Sequence, residues 1–278
     1  MVNASKNTLK LLAPLFLAAA VTTACGTGSQ DVSRSKVTNG VKVTGDTYPS
    51  TVLLMSSTAE GEGICTGTFV NDSQVVSAGH CVEGLSKTSP NLLVATEKNG
   101  QIVPLARATS WVRNPNYSIA QGVSPYDVSV INFPANTAPA VTPIAAAAPA
   151  AGEVFTIVGY GNNKNYLDAS GTLNGDGAGT KRAGSNRISE VSGGMISFTG
   201  LRGTDDIKGM TAGQYVASGS GDSGGPMFVK GKLVGVTSGG GIANTPDGVE
   251  LAISFYVDLN SPVSKQFLST VLKKSVVR

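Results

Sequence analysis

The stretch SGSGDSGGPM (residues 218–227) surrounds one Asp-Ser pair with four glycines and a proline. Glycine loses more conformational freedom on folding than any other residue, so such a cluster marks backbone that turns sharply or lies close to something. Ser223, the serine of that pair, is a candidate nucleophile, provided the chain supplies its partners. A serine hydroxyl is a weak nucleophile at neutral pH and needs a base within hydrogen-bond reach.

The chain contains one histidine, His80, in VVSAGHCV (75–82). Imidazole is the side chain that titrates near neutrality without perturbation, so His80 is the candidate base. Its second ring nitrogen needs a carboxylate to hold the tautomer and stabilise the cation. Asp127 opens DVSVINF (127–133), at the mouth of an apolar strand where an unpartnered carboxylate is badly placed. Each residue has a bland reading: a turn serine, a hydrogen-bonded surface histidine, a turn aspartate before a strand. Together they read as nucleophile, base and orienting acid, and the glycines beside Ser223 let backbone N–H groups converge on an oxyanion.

Composition bounds the alternatives. Thirty-five glycines, 13 prolines and only 14% charged residues describe a β-rich globule rather than a helical bundle or a disordered chain. Beyond residue 36, seventeen basic and seventeen acidic groups balance, which leaves no electrostatic reason to seek nucleic acid or an anionic membrane.

Residues 1–24 read as a signal peptide, with Lys6 and Lys10 followed by an apolar run from Leu11 to Val21 that is too short to span a bilayer. Thr22 and Ala24 suit a cut before Cys25. A cysteine at that position also resembles a bacterial lipobox, which makes Cys25 a candidate for lipidation. Both readings export the protein, as a periplasmic or outer-membrane lipoprotein or as a secreted one. Any membrane contact is expected only through that anchor.

From about residue 50 the chain breaks into short β-like runs bounded by Gly, Asn, Asp and Pro. They include TVLLMS (51–56), ICTGTFV (64–70), QVVSA (74–78), EVFTIVGY (153–160), QYVAS (214–218), PMFVKGKLVGVTS (226–238) and LAISFYV (251–257). Many short strands without intervening helices predict an all-β barrel or sandwich. One helix is expected at the C-terminus, capped by Ser261, with Pro262 in its first turn, Val263, Phe267 and Val271 on one face, and Lys273 and Lys274 near its end. The segment 134–152 reads as a connector between two halves, and 161–186 as a long polar loop. Asp168, Asn174 and Asp176 in that loop lack the spacing of a calcium site, and neither a metal nor a cofactor is expected.

These motifs resemble the trypsin/chymotrypsin family of serine proteases from Val37 to the C-terminus. SAGHC (77–81), DVSVINF and GDSGGP (221–226) are similar to the family's histidine, aspartate and serine motifs, in the order His80, Asp127, Ser223. VRNPNY (112–117) and VGYG (158–161) resemble further family segments, with Tyr160 in place of a tryptophan. The resemblance implies two six-stranded antiparallel β-barrels, a C-terminal helix and a Cys65–Cys81 disulfide beside His80. It also implies oxyanion-hole amides from Gly221 and Ser223, and a specificity pocket built around Ala217, Ser218, Ser238, Gly239 and Gly240.

By the same resemblance, residues 25–36 form an activation propeptide. Cleavage after Lys36 would free Val37, whose ammonium would pair with Asp222, and another protease would be the activator. Ala217 argues against simple selection of Lys or Arg; Glu250 either restores negative charge near the pocket floor or faces outward. The expected function is a monomeric exported endopeptidase acting on protein or peptide substrates. The competing reading is a protease-like binding or adhesion protein without activity.

Overall fold

The computed structural model describes residues 37–59, 61–162, 164–167, 173–201, 213–244 and 250–273. The signal-like segment, Cys25 and Lys36 lie outside them. Among the described residues, seventeen strands and one α-helix follow in chain order. They begin with β1 (Val41–Lys42), β2 (Thr51–Thr58), β3 (Gly61–Phe69), β4 (Gln74–Ser77), β5 (Leu92–Lys98), β6 (Gln101–Arg107), β7 (Ser110–Arg113) and β8 (Ser129–Asn132). Next come β9 (Val154–Gly159), β10 (Lys164–Leu167), β11 (Leu173–Asp176), β12 (Arg182–Arg187), β13 (Glu190–Ser192) and β14 (Met195–Leu201). The chain closes with β15 (Pro226–Val229), β16 (Lys232–Asn244), β17 (Glu250–Asp258) and α1 (Pro262–Val271).

Two curled antiparallel sheets, the two barrels, carry all the strands but β10 and β11, which pair with each other. One has seven strands in the order β6-β5-β2-β3-β4-β8-β7; the other has eight, β1-β12-β9-β15-β16-β17-β14-β13. Both exceed six strands, and the second sheet gains at its edges from the two-residue β1 and three-residue β13.

Alternation along the strands explains why they read as continuous apolar runs. Successive side chains point to opposite faces, and here both faces are covered. Val52 and Leu54 of β2 fill the first barrel's core, whereas Leu53 packs with Ala95 and Tyr160. Val75 joins the first core and Val76 a cluster shared by the two barrels; on β8, Ile131 and Val130 divide the same way. Phe155 and Ile157 of β9 enter the second core with Phe198 and Tyr256, and Val158 faces the shared cluster.

The helix follows its sequence signals. Ser261 Oγ accepts the Ser264 amide at 3.2 Å, Pro262 starts the first turn, and Phe267 and Leu268 enter the shared cluster. Its C-terminal end returns to the first barrel, where Gln74 donates to the Val271 carbonyl at 3.0 Å and accepts from the Lys273 amide at 2.7 Å. Lys274 lies outside the described residues.

Two expectations are corrected. The segment 161–186 is not one long loop: β10 and β11 form a hairpin, and β12 pairs with β9 from Arg182↔Gly159 to Arg187↔Val154. The polar residues leading into β12 are buried because carbonyls receive them. Lys181 is fully buried; its ammonium donates to Tyr48 O at 2.8 Å and Gly45 O at 3.3 Å, 5.8 Å from the Tyr160 ring centroid. Burial pulls this ammonium down to about 8, against the opposing pull of Glu97 and Asp46. Conversely, QYVAS makes isolated bridges, Gln214 to Ser185 and Ala217 to Thr38, rather than a strand.

The Cys65–Cys81 disulfide is present, with Cα atoms 6.2 Å apart. Closing a loop of this size stabilises by about 3 kcal/mol, so replacing both cysteines by alanine is expected to lower unfolding free energy by about that much in urea titration. Lys181→Met leaves the Gly45 and Tyr48 carbonyls without their donor and is expected to cost about 1–3 kcal/mol in urea titration.

Candidate active site

Strand pairing brings His80 and Asp127 together. β4 and β8 run antiparallel with Ser77 opposite Ser129, so the residues just after β4 and just before β8 emerge at the same end. His80 sits in the short turn His80–Val82 after β4, and Asp127 lies two residues before β8. Ser129 Oγ ties the corner by donating to Ala78 O at 2.7 Å.

Asp127 is fully buried and accepts three hydrogen bonds. The His80 amide donates to Oδ1 at 2.9 Å, while His80 Nδ1 lies 2.8 Å and Ser238 Oγ 2.7 Å from Oδ2. A carboxylate accepts from Nδ1, which places the imidazole proton there and leaves Nε2 with a free lone pair. Ser238 belongs to β16, so one carboxylate joins both sheets. Nearby, the Arg113 guanidinium lies over the Tyr117 ring and pairs with Glu83. Burial, helped by Asp127, raises the Tyr117 phenol to about 12.

Ser223 is placed through its backbone. Its carbonyl accepts the Thr66 amide at 2.8 Å, and Thr66 Oγ1 donates to Gly221 O at 3.0 Å. Cys81 Sγ lies 3.6 Å from Ser223 O, and a His80 ring nitrogen lies within 4.8 Å of both disulfide sulfurs. The sulfurs are bonded to each other, so this trio is a packed junction and not a metal centre. Among the described residues the Ser223 hydroxyl makes no hydrogen bond. Gly224 makes the approach feasible: its φ is +74°, and a Cβ there would lie 2.6 Å from both Ala78 N and Thr66 O. Any side chain would push the serine loop off the strand that carries His80.

Asp222, beside the serine, is buried with its carboxylate accepting Gly161 N–H at 2.9 Å and Gly219 N–H at 2.8 Å. A Cβ on Gly161 would fall 2.7 Å from that carboxylate. Burial raises Asp222 to about 6, opposed by the two amides and by Arg182. Val37 is buried in the second core, and Thr38 exchanges main-chain and hydroxyl bonds with Ala217: Thr38 N to Ala217 O and Ala217 N to Thr38 Oγ1, both 2.8 Å.

Of the pocket residues, Ala217 is fully buried and Ser218 is half-buried. Ser254 on β17, which the sequence reading missed, receives the Ser218 amide and lies 3.0 Å from its hydroxyl. The side chain that meets Ser218 is thus a neutral hydroxyl. Gly239 and Gly240 follow Ser238 along β16, paired with Phe255 and Ser254. Glu250 opens β17 opposite Asn244, and its side chain lies outside the described residues, as do those of Asp168, Asn174 and Asp176. Thr66, Ser129 and Ser254 carry no signal in the sequence, because strand register alone makes them neighbours of the site.

Comparison with known proteins gives the same picture. The family model for trypsin matches residues 37–262. A trypsin of Saccharopolyspora erythraea is 28% identical over 228 residues, covering 76% of this chain and 91% of that protein. Trypsin-2 of Salmo salar is 26% identical over 217 residues, with 74% and 84% covered. A trypsin of Sus scrofa is 28% identical over 215 residues, again with 74% and 84% covered. With its two-barrel fold and a match that spans both barrels, the chain belongs to the trypsin family of serine-type endopeptidases.

Proposed function

We propose that the chain is an exported endopeptidase that cleaves peptide bonds through an acyl-enzyme on Ser223, made as a precursor and activated by cleavage after Lys36. The observation that carries the reading is the buried Asp127 carboxylate holding His80 by both its amide and its ring. With Nδ1 engaged, Nε2 takes the proton from Ser223 Oγ as the Oγ–carbon bond forms. The Gly221 and Ser223 amides receive the oxyanion, each donor contributing on the order of 10²–10³ in rate. The protonated imidazole then passes its proton to the departing amine as the carbon–nitrogen bond breaks. Water, deprotonated by His80, releases the acyl group.

Activation follows from the state of Asp222. In the uncut chain its buried charge rests on two amides and the more distant Arg182. Thr38 is bonded to Ala217, two residues from the Gly219 that donates to Asp222. A freed Val37 ammonium would supply the missing cation and order the oxyanion loop. The neutral Ser254 hydroxyl beside Ser218 supports a pocket for an uncharged first residue, which makes cleavage after Lys36 the work of another protease. Export as a Cys25-anchored lipoprotein or as a secreted protein rests on the N-terminal segment alone.

A serine-directed phosphonate should label Ser223 in the processed protein. The binding-protein alternative gives no labelling. Ser223→Ala is expected to abolish labelling and turnover with an unchanged unfolding curve, and Asp127→Asn to lower turnover about 10⁴-fold. Asp222 gives a pH signature. Its folded value lies above the ordinary carboxylate value of 3.8, so its contribution to stability is complete below about pH 4 and is lost as pH rises through about 6. Urea titrations of Lys36→Gln precursor should show this loss, on the order of 3 kcal/mol; processed Ser223→Ala protein, with Val37 ammonium available, should not.

A further inference from the structure

A third strand, β7, ends beside the site together with β4 and β8. Arg113, its last residue, pairs with Ser129 of β8, whose other partner is Ser77 of β4. Its side chain therefore starts from the strand ends that deliver His80 and Asp127. A Cβ on Gly79, the residue before His80, would lie 3.1 Å from Asp127 Oδ1, 3.1 Å from Tyr117 Cδ1 and 3.2 Å from Arg113 Cγ. Carboxylate, ring and arginine stem thus close around one glycine. From there the guanidinium lies 5.4 Å from the Tyr117 ring centroid and pairs with the Glu83 carboxylate. Glu83 is tied to the base in turn, its amide donating to His80 O at 3.1 Å.

Ion pairs at a surface usually cost as much entropy as they gain in attraction, but this one is held in place. The Tyr117 ring beneath the guanidinium is buried, and its amide donates to Asn114 O at 3.1 Å. The phenol also registers the charges around it. Burial first and then Asp127 push it up to about 12, Arg113 pulls it down, and Glu83 pushes it up. It stays neutral wherever an imidazole works as a base. Among the described residues, the charged groups brought to His80 are Asp127 before β8, Asp222 on the serine loop, Arg113 from β7 and Glu83 from its own turn. β16 brings the neutral Ser238 hydroxyl.

We infer that Arg113 and Glu83 are positioning residues: as a closed pair they cancel each other's field at the imidazole, and so set the lowest pH at which His80 serves as base. The inference rests on the Ser223 peptidase reading. Either charge alone would bias the ring. A bare carboxylate favours the imidazolium, so the base is lost at a higher pH. A bare guanidinium disfavours it, so the base survives to a lower pH. A unit charge on the order of 10 Å away, through partly solvated protein, moves such an equilibrium by about 0.3–0.7 pH units.

The test is the acidic limb of the kcat/KM profile, which reports the free enzyme's base. It uses processed protein and one fluorogenic peptide, with active sites counted by phosphonate titration. At about 0.01 M salt, Arg113→Gln should move the limb up and Glu83→Gln should move it down, each by about 0.3–0.7 pH units. Arg113→Lys, which keeps the charge, and the Arg113→Gln/Glu83→Gln double variant should both stay near wild type. At about 1 M salt, where the screening length falls to roughly 3 Å, the single-variant shifts should largely vanish. A pair that only shapes the turn lowers the rate without moving the limb. Should Arg113→Gln fail to fold, the half-exposed Glu83 carries the test alone. A limb that stays in place, moves the same way in both single variants, or keeps its shift at high salt overturns the inference and leaves the peptidase reading intact. Wild-type protein that neither cleaves the peptide nor takes the phosphonate overturns the peptidase reading, and this inference with it.

Discussion

The buried carboxylate of Asp127 is the constraint around which the molecule is organised. A carboxylate held away from solvent is tolerable only with its lone pairs filled by well-directed donors. Two donors come from His80 on the first sheet and one from Ser238 on the second. The fold therefore reaches its low-energy state only when the two barrels dock in the register that also orients the imidazole. Thr66 adds a second tie of the same kind, reaching from β3 to both Gly221 and Ser223 across the barrel boundary.

Docking is reinforced by the apolar faces turned away from each barrel's own core. Val76, Val130, Val158 and Val257 meet with Phe267 and Leu268 of the helix, and Leu53 meets Tyr160. The site lies on this seam because its residues sit at strand ends that the seam aligns.

What was legible in the sequence was local chemistry. The glycine-rich serine loop, the lone imidazole, the strand runs and the Ser261-Pro262 helix start all act within a few residues of themselves, and the two-barrel fold followed from their resemblance to a family. What was illegible depends on partners far along the chain. Lys181 and Arg182 look like loop residues, yet carbonyls of Gly45, Tyr48, Gly177 and Thr180 receive their charges and let β12 form. QYVAS has strand composition, but only single bridges await it. Ser254 enters the pocket because β17 is in register with β16, which no local pattern announces.

The buried lysine also bears on the segment that follows the proposed cut. Thr38 is fastened to Ala217, Val41 and Lys42 lie on β12, and Lys181 grips the backbone at Gly45 and Tyr48. A terminus freed at Val37 thus hangs from an arm already moored along most of its length. The proposed ammonium would search only the volume that this moored arm allows, which acts as a raised effective concentration. Little chain entropy would then oppose the proposed insertion, and the arm would behave as a preloaded latch rather than a loose tether.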